Sequence, residues 1–450
     1  MQKTYDVIIV GGGITGTSLL YTISRYSNIK SVLLLEKYDD LATLNSNSRN
    51  NAQTLHFGDI ETNYSPETAR RTNEAAQLLL RYAESLPPEV RSQLIRKVQK
   101  MVLAVNDFEI GLLEKTYSNI RRLFPALRKA GKVEIERLEP NVVKGRDRSE
   151  RIMALISQHG YMVDFGKVTK TFADRALQNR KLKADIRFGT RVMRAERQGD
   201  GFKVSTADGG EYSGRFVVFA TGAYSLYFAK SMGYDKNLSV LSVGGNFYYS
   251  KKVLRGKVYR VQIGGIPFAA VHGDPEITNP DVTRFGPTVS LPLSLEKGHG
   301  GTFLDYIGTF DFDIPMLSSI KNIILNKDIG RILRKNMAYS LPVVGKREFL
   351  RNEAGRIVPS LTDRDIWLAK GIGGVRPQIV DEKKRFLVLG EAKLKEYGLI
   401  FNVTPSPGAT SCLSGAVADL KEIAKHLDAK FDTEKFEREL GPHGHHLRHI

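Results

Sequence analysis

Apolar residues fall into two kinds of pattern along the chain. Val7–Val10 and Ser31–Glu36 are short apolar runs, and between them apolar positions recur at helical spacing through about Tyr26. A short unbroken apolar run predicts a strand buried on both faces. The chain therefore opens as strand, glycine turn, helix and strand, the beginning of a doubly wound parallel sheet. Helical periodicity returns over roughly Ser65–Leu86, and more helix and charged loop reach about Arg151. Near Asp164 another helix is predicted, over Phe165–Gln178. Short strands with turn signals follow at Ile186–Phe188, Val192–Arg197, Phe202–Thr206 and Phe216–Ala220.

Residues 226–345 are richer in aromatic, Gly and Pro residues, with strand-like runs at Leu238–Tyr249 and Lys257–Gln262. They predict a mixed sheet with added helices. From about Gly345 the pattern returns to strand, turn and strand, and a final helix runs from Ser411 to about Leu427. There is no internal repeat and no long linker, so the domains are expected to interleave. The predicted class is α/β: a Rossmann-like two-dinucleotide-binding domain with an interleaved mixed-sheet α+β substrate domain. Residues 1–78, 151–225 and 346–450 are assigned to the first, 79–150 and 226–345 to the second.

The first of the turns carries chemistry. Gly11-Gly12-Gly13-Ile14-Thr15-Gly16 follows a strand and opens a helix, and Glu36 ends the next strand 25 residues after Gly11. Gly11 permits a tight turn, Gly13 lets backbone approach a pyrophosphate, and Gly16 lets helix pack on strand. The helix N-terminus offers N–H groups to the phosphates, and Glu36 can accept from a ribose diol. Two later segments favour FAD over NAD. Phe216–Ala220 ends in Thr221-Gly222, like a second cofactor-facing strand of flavoproteins, and Gly189-Thr190-Arg191-Val192 resembles the strand whose backbone, at Val192, meets adenine. Thr404-Pro405-Ser406-Pro407-Gly408-Ala409-Thr410 leads into the last helix, whose dipole would stabilise a reduced, anionic flavin.

The composition is ordinary for a globular chain of 450 residues, with 41% hydrophobic and 26% charged residues. The charge balance is not. Lys+Arg 67 against Asp+Glu 49 leaves a net +18, a field that attracts a dicarboxylate, an anionic lipid surface or nucleic acid. Nothing resembles an RNP, KH or zinc-knuckle pattern, which argues against RNA binding. One cysteine, Cys412, allows no internal disulfide and fits a reducing compartment. Residues 5–23 are interrupted by Asp6 and four glycines, and no other stretch reaches about 18 uninterrupted apolar residues. The expectation is a cytoplasmic protein, peripheral on the inner face of the cell membrane. Residues 318–337 place Ile, Leu and Met at helical spacing opposite Lys and Arg, the pattern of a helix lying on anionic lipid or packed on its own core. The four histidines of Gly441–Ile450 are read as an incidental tail, with no metal site.

Several further runs bear a family resemblance. Asn50-Asn51-Ala52-Gln53-Thr54-Leu55-His56 with Glu61-Thr62-Asn63-Tyr64-Ser65-Pro66 resembles the signature of malate:quinone oxidoreductases. Gly371-Ile372-Gly373-Gly374-Val375-Arg376-Pro377-Gln378 is similar to their substrate-side arginine loop. Phe268-Ala269-Ala270-Val271-His272-Gly273 resembles the histidine segment of 2-hydroxyacid dehydrogenases in the wider D-amino-acid-oxidase-like superfamily. The ending Asn402–Cys412 is nearest the shorter, epsilonproteobacterial type, and 290–340 departs from the longer enzymes. The resemblance implies FAD-dependent oxidation of malate, electrons passing to quinone, and Lys37, Ser46, Ser48 and Asn51 beside the cofactor.

Oxidising a secondary alcohol at flavin requires a base for the hydroxyl proton, a task suited to neutral histidine. His56 and His272 are the two candidates. A dicarboxylate requires cationic anchors, ideally a bidentate arginine: Arg376 for one carboxylate, and Lys346 or Arg347 for the other. Gln53 and Gln378 are candidate polar contacts. Rival readings are oxidation of another 2-hydroxy or amino acid, such as 2-hydroxyglutarate, with oxygen as acceptor, or a flavin-bearing RNA-binding or structural protein.

Overall fold

The structure, a computed structural model, describes residues 4–234, 237–262, 271–310, 318, 321, 327–339, 341, 344–383, 386–388, 392–403 and 407–441. Phe268–Ala270, Thr404–Ser406, the histidine tail after Gly441 and much of 318–326 lie outside the described residues.

The central sheet is built on the strand Thr4–Val10. Ser31–Leu35 and Glu211–Phe219 flank it in parallel, and Lys183–Arg187 and Leu399–Val403 extend the parallel array outward. Ala392–Glu396 closes one edge antiparallel. Val192–Gln198 and Gly201–Thr206 form an antiparallel meander on Glu211–Phe219. The inner strands are apolar throughout because they are covered on both faces. The helices Ile14–Tyr26, Phe165–Leu177 and Cys412–Leu427 pack into one apolar cluster, and the meander, Phe219, Phe228 and Phe401 pack into another.

Two glycines of the first turn are required by contact. Gly11 has φ +110°, and a Cβ there would lie 2.6 Å from the Ala220 carbonyl oxygen. At Gly16 a Cβ would lie 2.0 Å from the Gly11 carbonyl oxygen. The tight turn and the close helix–strand approach expected from the sequence are thus both present.

A second sheet runs in the order Ile366–Leu368, Tyr248–Lys251, Val282–Gly286, His272–Pro275, Lys257–Arg260, Lys100–Val105, Ile152–Ser157, Arg128–Ala130. It is mixed, because Lys257–Arg260 runs parallel to Lys100–Val105 while the other neighbours are antiparallel. Two of its strands, Ile152–Ser157 and Ile366–Leu368, come from segments assigned by sequence to the cofactor domain. Their apolar pattern shows that they are strands but not which sheet they join.

The run Leu238–Tyr249 is also not one strand. Leu238–Gly244 pairs with Val375–Asp381 in a three-stranded sheet, whereas Tyr248–Lys251 belongs to the second sheet. The chain breaks at Gly244-Gly245-Asn246, where a Cβ on Gly245 would lie 2.7 Å from Pro287 Cβ. This three-stranded sheet places Arg376 opposite Val243.

Within 318–337 the described helix is Lys327–Tyr339. Asn336 and Tyr339 are buried on its inner side, and Arg331, Arg334, Lys335 and Met337 are exposed. Among the described residues no helix is long and apolar enough to cross a membrane.

Candidate active site

A cavity of about 300 Å³ opens at the carboxyl ends of the central strands, where open α/β sheets bind ligands. Gly11, Gly13, Ile14 and Thr15 line it from the first turn, Glu36 and Lys37 from the end of the second strand, and Val192 from the meander. Ser46, Asn51, Thr221, Gly222 and the turn Pro407-Gly408-Ala409-Thr410 complete this part of the wall.

The arrangement fits FAD. The helix Ile14–Tyr26 begins at Gly13 without a side-chain cap, which leaves its positive end toward the cavity for a pyrophosphate. Ser46 Oγ accepts from the Ile14 N–H at 2.9 Å. The buried Glu36 carboxylate accepts from the Gly12 N–H at 2.6 Å and the Tyr38 N–H at 2.9 Å. Burial raises its pKa, and those two backbone donors offset part of the rise. Lys37 is bonded to Glu296, which also accepts from Tyr38 Oη at 2.6 Å.

Another part of the same wall holds the candidate chemistry: Thr54, His56, Gly374 and Arg376. His56 is tied to the last turn by its N–H, which donates to Thr410 Oγ1 at 3.2 Å, and its Nδ1 lies 2.6 Å from Glu61 Oε1. Arg376 is half-buried and, among the described residues, makes no ion pair. Burial lowers its pKa, opposed only by the phenols of Tyr64 and Tyr259. A guanidinium desolvated without a carboxylate is costly, so this position is set up for an anion. Gln378 is buried and lines a small adjoining cavity together with Arg376.

The remaining candidates lie elsewhere. His272 is 2% exposed and does not line the cavity. It sits 3.2 Å from Asp274 and stacks on Tyr259, within a buried charge cluster in which Asp274 meets Arg284 at 2.7 Å and Lys257 at 3.3 Å. Burial lowers the imidazole pKa further than Asp274 raises it. That cluster supports the cavity from behind: Arg284 donates to the Asn51 carbonyl at 3.1 Å and Lys257 to the Ala52 carbonyl at 3.3 Å. Gln53 is fully buried, bonded to Glu276 and to the Ser48 carbonyl. Ser48 Oγ donates to Asp164, and Gly16 acts through packing. Lys346 and Arg347 lie on the short helix Val344–Phe349, away from the cavity wall, where Arg347 pairs with Asp363 at 2.8 Å. Arg347 is exposed and Lys346 half-buried, and neither lines the cavity that Arg376 lines, so the structure does not bring the second anchor expected from sequence to it.

Four further positions are not marked by the sequence motifs. Glu61 stands in the run Glu61–Pro66, where nothing in the sequence pattern singles it out. Asn45 belongs to an Asn- and Ser-rich stretch, 45–51, whose density of turn-forming side chains is a readable signal. Glu296 and Asp305 also line the cavity; Asp305 accepts from Tyr224 Oη at 2.9 Å and pairs with Arg191 at 3.1 Å. They lie far from their partners in sequence, and nothing local marks them.

Comparison with known proteins gives the family and the fold. A family model described as FAD dependent oxidoreductase matches residues 6–418. A probable malate:quinone oxidoreductase of Campylobacter jejuni is 40% identical, over 98% of this chain and 99% of that one. The malate:quinone oxidoreductase of Helicobacter pylori is 39% identical over the same shares. Among solved structures, FAD-bound L-alpha-glycerophosphate oxidase from Mycoplasma pneumoniae superposes with a TM-score of 0.66 at 21% identity, covering 95% of this chain and 96% of that one. Glycine oxidase from Geobacillus kaustophilus gives 0.63 at 17% identity with full coverage of both chains. These two likenesses speak to the fold.

Proposed function

The chain belongs to the FAD-dependent oxidoreductases and, within them, to the malate:quinone oxidoreductases, and from that premise we propose that it oxidises (S)-malate to oxaloacetate and passes the electrons to a membrane quinone. The observation that carries the reading is Arg376, a half-buried guanidinium that makes no ion pair among the described residues and shares one cavity wall with His56.

Arg376 binds the carboxylate next to the reacting carbon through its planar fork. His56 takes the hydroxyl proton at Nε2, since Nδ1 is engaged by Glu61. FAD, when bound, supplies the acceptor for the hydrogen that leaves carbon with both bonding electrons. The C–O single bond then becomes the keto double bond, and protons and electrons balance. Thr54 Oγ1 and Tyr259 Oη, 2.6 Å apart, hold the cavity loop against the second sheet. Electrons reach quinone at the lipid surface, and the basic helix Lys327–Tyr339 supports peripheral attachment on the cytoplasmic face. On this reading the reaction is a step of the tricarboxylic acid cycle.

Purified yellow protein, made anaerobic, should bleach on adding malate and recover its colour with a soluble quinone. Bleaching by 2-hydroxyglutarate but not by malate would transfer the reading to that acid. No bleaching by either, in protein that dithionite does reduce, would refute it.

A further inference from the structure

The residues behind His56 extend this reading. His56 is 18% exposed at its side chain and Glu61 9%. Their Nδ1–Oε1 separation of 2.6 Å is that of a strong, charge-assisted hydrogen bond. An ionised carboxylate only accepts, so the shared proton belongs to Nδ1 and the lone pair of neutral imidazole to Nε2.

We propose that Glu61 is a positioning residue for the oxidation: it fixes the tautomer and orientation of His56 and stabilises the imidazolium formed when His56 accepts the substrate's proton. The inference rests on the reading of His56 as the base.

The surroundings keep Glu61 ionised. Burial alone would raise its pKa, but the His56 hydrogen bond, the positive charge of His56 when protonated and the buried Lys100 ammonium reverse this and lower it. Asp59, the other acid of the loop, is already satisfied: Lys100 Nζ donates to it at 2.9 Å, Ser157 donates to its second oxygen, and His159 lies 3.6 Å away. Of the two acids, Glu61 is therefore the one directed at His56. Tyr259 remains a neutral phenol, its pKa raised by burial, and Tyr64 and Arg376 are further ionisable groups nearby. The backbone at His56 is held as well, through its N–H to Thr410 Oγ1 and through the next residue, Phe57, which stacks on His159 at 4.8 Å. A histidine that served only packing would not need a buried anion at one nitrogen while its ring lines a cavity.

The test is anaerobic flavin reduction by malate in Glu61→Gln holoenzyme, followed across pH. The neutral amide can present its NH₂ to Nδ1 and so favour the wrong tautomer. The limiting reduction rate should fall ~10²–10⁴-fold. The acid limb of the profile should move to lower pH, because the imidazolium has lost its anion. FAD content and the malate Kd from the saturation curve should stay close to wild type, which a merely structural role would not predict. In a His56→Ala background, Glu61→Gln should cause no further loss of rate. A wild-type rate with an unmoved limb, or an undiminished loss in the His56→Ala background, would overturn the proposal. Should Glu61→Gln fail to hold FAD, wild-type holoenzyme with ¹⁵N-labelled histidine provides the measurement. A far-downfield Nδ1–H proton that disappears in His56→Ala supports the pair, and its absence from wild type refutes it. That resonance needs no substrate, so it separates failure of this pairing from failure of malate as substrate.

Discussion

Asn45 engages both backbone polar groups of Val375: Nδ2 donates to the carbonyl at 2.8 Å, and Oδ1 accepts from the N–H at 3.2 Å. Asn50 Oδ1 accepts from Gly373 N–H at 3.1 Å, and Lys297 Nζ donates to the Gly245 carbonyl at 2.6 Å and to that of Ile372. The strand end that carries Arg376 is thus set by side chains of the cofactor loop and by one lysine. Asn45→Ala removes two hydrogen bonds, each contributing about 1 kcal/mol. Its malate KM should rise ~10-fold or more, with FAD retention little changed. An unaltered KM would mean that Arg376 is placed by its own strand alone.

If Arg376 holds a carboxylate, Arg376→Lys should lose malate turnover strongly despite keeping the charge. Lysine presents a point charge where the site offers room for a planar fork. A charge-assisted hydrogen bond contributes about 1.5–3 kcal/mol, so kcat/KM should fall ~10–100-fold. Wild-type kinetics in this variant would remove Arg376 from the substrate site.

What could be read from sequence follows from the range of the interactions. The turn at Gly11–Gly16 was legible because its spacing is local and Gly16 packs against Gly11 and Ile9 of the same unit, although the close contact at Gly11 is with the distant Ala220 carbonyl. The break inside Leu238–Tyr249 was not, because it depends on Pro287, in a different hairpin. His56 and His272 look alike in sequence, both flanked by apolar residues. Only the fold shows that one reaches the cavity while the other is enclosed with Lys257, Asp274 and Arg284. Lys346 and Arg347 are a similar case: periodicity cannot tell a short helix away from the cavity wall from one at its lip.

The pair Asp59–Lys100 predicts an acid dependence of stability. Burial would raise the Asp59 pKa, but the Lys100 charge, the nearby His159 and the bond from Ser157 bring it down to about 2. A carboxylate depressed in the folded state adds stability above its unfolded pKa of about 3.9 and loses it as pH falls through its folded value. Asp59→Asn leaves Lys100 buried without its anion and should cost about 3–5 kcal/mol near neutrality. Thermal unfolding of both proteins between pH 7 and 2 checks this: the gap in Tm should narrow below pH 4. A constant gap would show that the pair does not titrate as described.

Glu296 and Asp305 connect a distant segment to Lys37, Tyr38, Arg191 and Tyr224 on the cavity wall. If that segment covers bound FAD, Glu296→Gln should speed FAD release by ~10-fold, the equivalent of about 1.4 kcal/mol. Recovery of flavin fluorescence after dilution measures the rate. An unchanged rate would limit Glu296 to a local surface contact.

Membrane attachment is the last prediction, and it rests on the helix Lys327–Tyr339. Arg331, Arg334 and Lys335 are exposed there beside Met337, which is 70% exposed, and Leu341 and Val344 follow at 55% and 54%. Basic groups flanking apolar side chains suit an anionic lipid surface, the apolar tips entering the headgroup boundary. Each basic residue gains about 1 kcal/mol near such a surface, so reversing Arg331 and Arg334 to Glu should lower binding by at least ~30-fold. Lys335 pairs with Glu353 at 2.8 Å and is left unchanged in the double variant. The measurement is cosedimentation with anionic and neutral vesicles across a salt series. Wild type should bind the anionic vesicles at low salt and release as screening shortens, while the double variant should stay in solution. Malate-dependent bleaching should be the same in both proteins, because the substitutions lie away from the cavity wall. Equal, negligible binding of wild type to both vesicles at low salt would direct the positive charge to substrate capture and the electrons to a soluble acceptor.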